Sequence, residues 1–305
     1  MLYIYTENFF AFNRLKGFVK ILLGRQNRGP KAVEESLLNG LDELGVQYVL
    51  NQPLKKPIGT ACVISGSRTL RWALTQKKKG LIKKIIAGPN IVVFPEDAGG
   101  VLVDPAVDII IVPSLWVFEL YSALAPQIAD NIRIWPAGVF LPPATVSKKT
   151  IDFLVFNKIG KSELFTNIVK YLNKAGFSYK VFSYGKFQQQ EYFANLESSR
   201  FMIYLSVSES QGLAMFEAWA RNVSTLVWEK GEYEGDGKSI SGKISAPYLT
   251  DQVGLAFSSV EDFSRQLEVF LKFGFNPRKY VEENFSNKIC AQKYLDNIGN
   301  RPVVE

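Results

Sequence analysis

The run Phe201-Met202-Ile203-Tyr204-Leu205 leads into Val207-Ser208-Glu209-Ser210-Gln211-Gly212-Leu213-Ala214-Met215-Phe216-Glu217, and the reading of this stretch decides the fold. Five apolar or aromatic residues in a row predict a buried strand. Residues 213–220 are rich in helix formers and predict a helix. A strand feeding a helix through a glycine-bearing loop is the repeating unit of open α/β sheets, which bind ligands at the carboxyl ends of their strands. Glu209 therefore falls in the loop at a strand end, and Glu217 about one turn into the helix. Carboxylates accept hydrogen bonds from hydroxyls, often two from one diol. The N–H groups expected to be open around Gln211, Gly212 and Leu213 donate to phosphate or hydroxyl oxygens, and Gly212 lets the backbone come close to a ligand. This chemistry suits a sugar nucleotide. A first-turn Glu beside a solvated Glu fits the same spacing.

Outward from that stretch, the strand and helix signals alternate. Before it lie the strand candidates Phe18-Val19-Lys20-Ile21-Leu22-Leu23, Cys62-Val63-Ile64, Ile91-Val92-Val93-Phe94, Asp108-Ile109-Ile110-Ile111-Val112 and Ile132-Arg133-Ile134-Trp135. A helical pattern covers residues 30–44, with Gly45 as its stop. Proline and glycine then crowd Pro136-Ala137-Gly138-Val139-Phe140-Leu141-Pro142-Pro143, and Ser147-Lys148-Lys149-Thr150 extends this joint. A second series comes next: Ile151-Asp152-Phe153-Leu154-Val155-Phe156, Tyr179-Lys180-Val181-Phe182, the run at 201–205, Ser224-Thr225-Leu226-Val227-Trp228 and Val253-Gly254-Leu255-Ala256-Phe257. Helices are expected between them, including residues 161–175, and a last one over residues 288–298. Short apolar runs separated by helices predict parallel, doubly wound sheets. The expected division is an N-terminal domain over 1–140, a linker over 141–150, a C-terminal domain over 151–285 and a terminal helix over 286–305.

Composition narrows the chemistry. With 305 residues the chain favours two domains over one. It contains no histidine, which excludes Ser-His-Asp and Cys-His machinery and removes the commonest metal ligand. Cys62 and Cys290, the two cysteines, lie far apart in apolar segments and read as buried thiols, so a reducing, cytoplasmic setting is expected. No apolar run approaches the roughly 18 residues of a membrane span. Residues 1–17 are aromatic-rich but carry Glu7, Arg14 and Lys16, unlike a signal peptide. An added strand, an interfacial segment and a misplaced start all fit them.

The two carboxylates eight positions apart, in the second of two Rossmann-like halves, resemble the E-x7-E motif of retaining GT-B glycosyltransferases, the broad family 4 group. The resemblance covers nearly all of the chain after about residue 18. It implies two Rossmann-like doubly wound parallel-sheet domains facing across a cleft, with the terminal helix returning to the first. It also implies transfer of a sugar from a nucleotide-sugar donor to a glycan, lipid-linked or other acceptor, with retention and without a resident cofactor or metal. By resemblance Glu209 lies by the donor sugar and Glu217 binds the nucleotide ribose.

Further motifs take roles from the same resemblance. Gly24-Arg25-Gln26-Asn27-Arg28-Gly29-Pro30 lacks the G-x-G-x-x-G fingerprint, which disfavours a dinucleotide oxidoreductase. It resembles the glycine-rich loop facing the donor phosphates, with Asn27, Arg28 and Gly29 as contacts; a plain strand-to-helix turn also fits. In Phe156-Asn157-Lys158-Ile159-Gly160-Lys161 the family carries an Arg/Lys pair that neutralises the leaving diphosphate. Lys158 is the first candidate for that role and Lys161 the second, although no Arg is present and the two are close-set. Tyr184 falls in a loop that lies near the nucleobase in this fold. On the acceptor side, Glu96 and Asp97 are candidates for hydroxyl binding, with turn chemistry as the alternative. Ser114 is expected to cap the helix beginning near Trp116, itself core or a sugar platform. Residues 230–248 are long for a connection and read as a functional flap.

The run Gln76-Lys77-Lys78-Lys79-Gly80-Leu81-Ile82-Lys83-Lys84 carries much of the net +7 charge. Peripheral contact of Lys77, Lys78, Lys79, Lys83 and Lys84 with an anionic membrane is one reading, a solvated helix end the other. The run lacks the aromatic interleaving of a nucleic-acid surface, so no nucleic-acid partner is expected. A GT-B sugar-nucleotide epimerase and a non-catalytic GT-B binding or scaffold protein remain as alternatives. Epimerases commonly work through histidine, which is missing here.

Overall fold

The structure is a computed structural model that describes residues 1–10, 28–144, 148–185, 188–235 and 237–299. The chain divides into two units, Met1–Gly138 with Asn287–Glu305, and Val139–Ser286.

Unit 1 is built on a six-stranded parallel sheet. Its strands are β1 (Leu2–Tyr5), β2 (Tyr48–Leu50), β3 (Ile58–Ser65), β4 (Ile82–Asn90), β5 (Ile109–Val112) and β6 (Ile132–Ile134), in the order β2-β1-β3-β4-β5-β6. The opening residues thus form a strand: Tyr3 pairs with Val49 on one side and Ala61 on the other. Ile4 and Tyr5 are buried, as expected of a strand covered on both faces. The strand expected at residues 18–23 lies outside the described residues. Helix Arg28–Glu43 comes next in the chain, and Gly45 beyond it has φ 67°.

One expectation is corrected. Residues 91–94 do not form a strand; β4 runs instead from Ile82 to Asn90 and begins inside the lysine run. Burial explains the shift. Ile82, Ile85, Ile86 and Ala87 are fully buried, whereas Val93 is 73% exposed. Residues after Asn90 enter a turn in which the Phe94 N–H donates to Asp97 Oδ2 at 2.8 Å.

Helix Asn287–Ile298 packs on helix Arg28–Glu43 within unit 1. A Cβ at Gly40 would stand 2.1 Å from Asn287 O, so only glycine allows this approach. The Trp135 indole N–H donates to Cys290 O at 2.7 Å across the same helix. Cys62 and Cys290 are free and buried, and burial pushes their thiols up to about 11 and about 12. Among the described residues no helix is long and apolar enough to cross a membrane.

Unit 2 holds five parallel strands: β7 (Ile151–Asn157), β8 (Tyr179–Ser183), β9 (Ser199–Leu205), β10 (Ser224–Trp228) and β13 (Gly254–Phe257), in the order β13-β10-β9-β7-β8. A separate antiparallel hairpin pairs β11 (Glu232–Gly235) with β12 (Lys238–Ser241). The core is apolar and aromatic, with Phe153, Val155, Ile203, Leu205, Leu226, Phe257, Phe263 and Phe270 buried together. Ser162 and Ser259 cap helices Glu163–Lys174 and Val260–Lys272 through their hydroxyls. In chain order the five strands lie 2-1-3-4-5, so the winding reverses between β7 and β9. Ligands bind at such a reversal in open α/β sheets, outside the carboxyl ends of the strands.

Candidate functional site

Two neighbouring strands end at the reversal in unit 2, and the sequence after each carries charge. After β7 the buried Asn157 folds the chain back: its Oδ1 accepts the Ile159 N–H at 3.0 Å and its Nδ2 donates to Gly160 O at 2.8 Å. Between them, the Lys158 N–H donates to Leu205 O at 2.8 Å, which ties this turn to the end of β9. After β9 the loop to helix Leu213–Trp219 is pinned at three points. Ser206 Oγ donates to Ser208 O at 3.1 Å, Ser245 Oγ donates to Val207 O at 3.2 Å, and the Glu209 N–H donates to Ile244 O at 2.9 Å.

These anchors bring Lys158 and Glu209 together, though they lie 51 positions apart in the chain. Lys158 Nζ stands 2.6 Å from Glu209 Oε1, with the side chains 22% and 12% exposed. The same oxygen accepts the Tyr204 hydroxyl at 2.6 Å. Tyr204 is buried and stacks on Phe156 with ring centroids 5.2 Å apart and planes 6° apart. Burial first, and the Glu209 charge second, push its phenol well above the ordinary tyrosine range, so it remains a donor. Lys158 Nζ also lies 4.5 Å from the ring centre of Tyr184, a 64%-exposed side chain, within cation–π reach.

Gly212 stands at the N-cap of the seven-residue helix Leu213–Trp219 with φ 87°, and a Cβ there would come 2.4 Å from the Met215 methyl. Gln211 is buried beside it. Glu217 lies on that helix, half-buried, and its Oε1 accepts from Gln189 Nε2 at 3.1 Å. The helix is fixed to its neighbour by the Tyr192 hydroxyl, which donates to Ala214 O at 2.7 Å. Arg221, whose guanidinium centre lies 3.8 Å from the centre of the Phe193 ring, donates to Glu217 O.

Other residues singled out from the sequence stand elsewhere. Lys161 is exposed and makes no ion pair among the described residues. Gly29 sits in the first turn of helix Arg28–Glu43, with open space where a Cβ would point. Asn27 and the Arg28 side chain lie outside what is described. In unit 1 the Asp97 carboxylate is engaged in the turn with Phe94, and Glu96 O accepts the Gly100 N–H at 2.9 Å. Ser114 occupies the N-cap position of helix Leu115–Leu124, but its side chain makes no cap bond and its buried hydroxyl has no partner among the described residues. Trp116 is 9% exposed and belongs to the core. In the lysine run, Lys77 pairs with Asp108 at 2.5 Å and Lys84 Nζ donates to Ile298 O at 3.2 Å, leaving Lys78, Lys79 and Lys83 exposed.

Three residues of this edge escaped the sequence reading. Tyr204 hid inside an apolar strand run, where its hydroxyl was the only signal. Gln189 carried none. Glu229 comes directly after β10, and its carboxylate accepts the Gly231 N–H at 3.0 Å, the Ser245 N–H at 2.8 Å and the Ala246 N–H at 3.2 Å. It therefore holds both ends of the segment bearing the β11–β12 hairpin, and that segment supplies the Ile244 carbonyl bonded to Glu209.

No family model and no curated protein matches the chain. Solved structures do. The galactosyltransferase WaaB of the lipopolysaccharide outer core, in its apo form, shares 12% identity over 88% of this chain and 80% of its own, with a TM-score of 0.55. The N-terminal domain of the Candida albicans trehalose-6-phosphate phosphatase also gives 0.55, at 9% identity over 86% and 72%. A point mutant of S. aureus TarM, in complex with fondaparinux, alpha-GlcNAc-glycerol and UDP, gives 0.51 at 14% identity, and the likeness covers 78% of this chain but 55% of that one. At such identities the likeness is one of fold, and the fold is GT-B: two Rossmann-like α/β units, each on a parallel sheet.

Proposed function

We propose that this chain is a glycosyltransferase that moves a sugar from a nucleotide-sugar donor to a glycan, lipid-linked or other acceptor, with retention of anomeric configuration. The observation that carries this reading is the Lys158–Glu209–Tyr204 cluster at the winding reversal of a Rossmann-like unit in a GT-B fold. Each group has a role there. Glu217, braced by Gln189, accepts the ribose hydroxyls. Lys158 meets the diphosphate and stabilises the charge that grows on it as the bond from sugar to phosphate breaks. Glu209 accepts hydroxyls of the donor sugar. The acceptor oxygen bonds to the same face of the sugar, and its proton passes to the departing phosphate, so no protein base is required. The TarM complex with UDP lends support through fold likeness alone.

The test is direct. UDP-, GDP-, ADP- and CMP-sugars are screened first for a rise in melting temperature, since binding the native state stabilises it. Released nucleotide and product anomer are then measured with candidate acceptors. Glu217→Ala is expected to abolish donor turnover while the melting temperature stays near that of the parent. Full transfer by a well-folded Glu217→Ala protein would sink the reading. The exposed Lys78, Lys79 and Lys83 extend it: we place the protein in the cytoplasm, touching an anionic membrane peripherally through them. Flotation with vesicles containing phosphatidylglycerol, against vesicles of phosphatidylcholine alone, tests that placement.

A further inference from the structure

We infer that the Lys158–Glu209 pair makes the donor site discriminate between a sugar nucleotide and the spent nucleoside diphosphate, with Glu209 as the residue that rejects the product. The inference rests on the glycosyltransferase reading above. Its geometry belongs wholly to unit 2.

Two donors meet at one carboxylate oxygen, and they differ in freedom. Lys158 reaches Glu209 Oε1 on a long side chain that is 22% exposed, with the Tyr184 ring as a second surface within 4.5 Å of Nζ. Tyr204 reaches the same oxygen from a buried strand, locked by stacking on Phe156. An arriving diphosphate therefore draws Lys158 toward itself, while Tyr204 and the Ile244 carbonyl keep Glu209 in place. The carboxylate then stands beside the phosphates with its cation shared or withdrawn.

The two ligands meet that carboxylate differently. A sugar nucleotide presents sugar hydroxyls, which are donors, and a carboxylate accepts them. A free nucleoside diphosphate presents no hydroxyl at that position, and its terminal phosphate bears an extra negative charge. Two like charges in a site only partly open to solvent repel far more than in bulk water. Glu209 thus holds the donor and repels the product. The cation that receives the leaving group is the one the carboxylate reclaims once the sugar has gone. Product release limits turnover in many enzymes, so such a group acts on the slow step.

The measurement is binding to the full chain by calorimetry, with UDP, GDP and ADP against UDP-glucose, GDP-mannose and ADP-glucose. The first expectation concerns the parent protein: it binds the sugar nucleotide of its preferred base at least as tightly as the matching diphosphate. The second concerns Glu209→Gln, which keeps the length of the side chain and an oxygen for the Tyr204 hydroxyl. This variant is expected to bind the diphosphate about tenfold tighter, a gain of about 1.4 kcal/mol, with no gain for the sugar nucleotide. An unchanged or weaker affinity for the diphosphate overturns the inference, and so does an equal gain for both ligands. If Glu209→Gln fails to fold, the parent decides alone: a diphosphate bound tighter than its sugar nucleotide overturns the inference. A parent that binds none of the six ligands removes this inference, and one that binds no CMP-sugar either removes the glycosyltransferase reading with it. A parent that transfers sugar, paired with a variant showing no selective gain, removes the inference only.

Discussion

The two units offer the same topological position, and they fill it with different chemistry. Unit 1 reverses its winding between β1 and β3, unit 2 between β7 and β9. At the first reversal most of the bonds among the described residues use neutral side chains, and the half-buried Glu34 carboxyl joins them through the Thr6 side chain. The Thr6 N–H donates to Asn51 Oδ1 and Asn51 Nδ2 donates to Thr6 Oγ1, both at 2.8 Å. Thr69 Oγ1 donates to Thr6 O at 3.1 Å, and the Glu7 N–H to Ser65 Oγ at 2.9 Å. That network fixes the strand ends, and burial raises the pKa of the Glu34 carboxyl beside it. At the second reversal a lysine, a glutamate and a buried phenol converge. Taking a Lys–Glu pair largely out of water offsets much of what their attraction gains, so stability is a poor reason to keep one there. A network of mainly neutral bonds marks a strut, and a convergent Lys–Glu pair marks a binding edge.

The sharpest test of that contrast removes the cation. Lys158→Met is expected to lower transfer from the sugar nucleotide by about 10²- to 10³-fold, the usual loss when one preorganised electrostatic contact to a developing charge is deleted. Turnover is measured per folded molecule, with the folded fraction taken from circular dichroism. Undiminished turnover would mean that the charged edge is not where bond cleavage occurs.

The counterpart in unit 1 is Asn51→Ala. Two reciprocal bonds to Thr6 disappear, and a residue at φ 51° loses a side chain suited to that conformation. Urea unfolding is expected to show a loss of about 1–3 kcal/mol. Turnover per folded molecule should stay at the parent level. A fall in turnover with unchanged stability would move part of the chemistry to the first reversal.

How much of this contrast the sequence discloses depends on sequence distance. In unit 2 the five strands of the parallel sheet are apolar runs with at most one charge each, and each is visible. In unit 1 two strands are disguised. β1 opens the chain among aromatic and polar residues, and β4 begins within a lysine run because Lys83 and Lys84 interrupt its isoleucines. An apolar run at 91–94 then misleads, since Val93 faces solvent. The spacing of Glu209 and Glu217 is local and therefore legible. Their partners are not: Lys158 is 51 positions from Glu209, and Gln189 is 28 from Glu217. Only sheet order brings those pairs together, and sheet order is a tertiary property. The acceptor-side candidates show the converse. Acidic residues at a strand end are equally good at closing turns, and Asp97 does so.

Glu229 refines the contrast within unit 2, because it acts on the charged edge from behind. Its three backbone bonds hold both ends of the hairpin segment, and that segment holds the Glu209 backbone. Glu229→Ala is expected to slow turnover about tenfold, or about 1.4 kcal/mol in the barrier. Limited proteolysis within residues 230–246 should accelerate in parallel. Faster cleavage with unchanged turnover would show that the hairpin serves only as cover.

The smallest expected effect comes from one oxygen atom. Tyr204→Phe keeps the ring and its stacking on Phe156 and deletes only the hydroxyl that shares Glu209 Oε1 with Lys158. Lys158 still holds that oxygen before a donor arrives, so the loss is that of a single hydrogen bond, about 0.5–1.5 kcal/mol, or a two- to tenfold fall in kcat. On the proposed reading Tyr204 positions Glu209 and meets neither ribose nor diphosphate, so KM for the donor should hardly move. A merely structural phenol would leave kcat alone and change only stability. Alkaline pH gives a second readout with a fixed sign. The unfolded phenol loses its proton near its ordinary value of 10.0, whereas the folded one is held protonated well above it, by burial first and the Glu209 charge second. The folded state then binds more protons than the unfolded one above pH 10, so stability falls as pH rises there. Tyr204→Phe should remove that contribution and flatten the alkaline slope. A slope identical to that of the parent would mean that neither burial nor Glu209 holds the Tyr204 phenol protonated in solution.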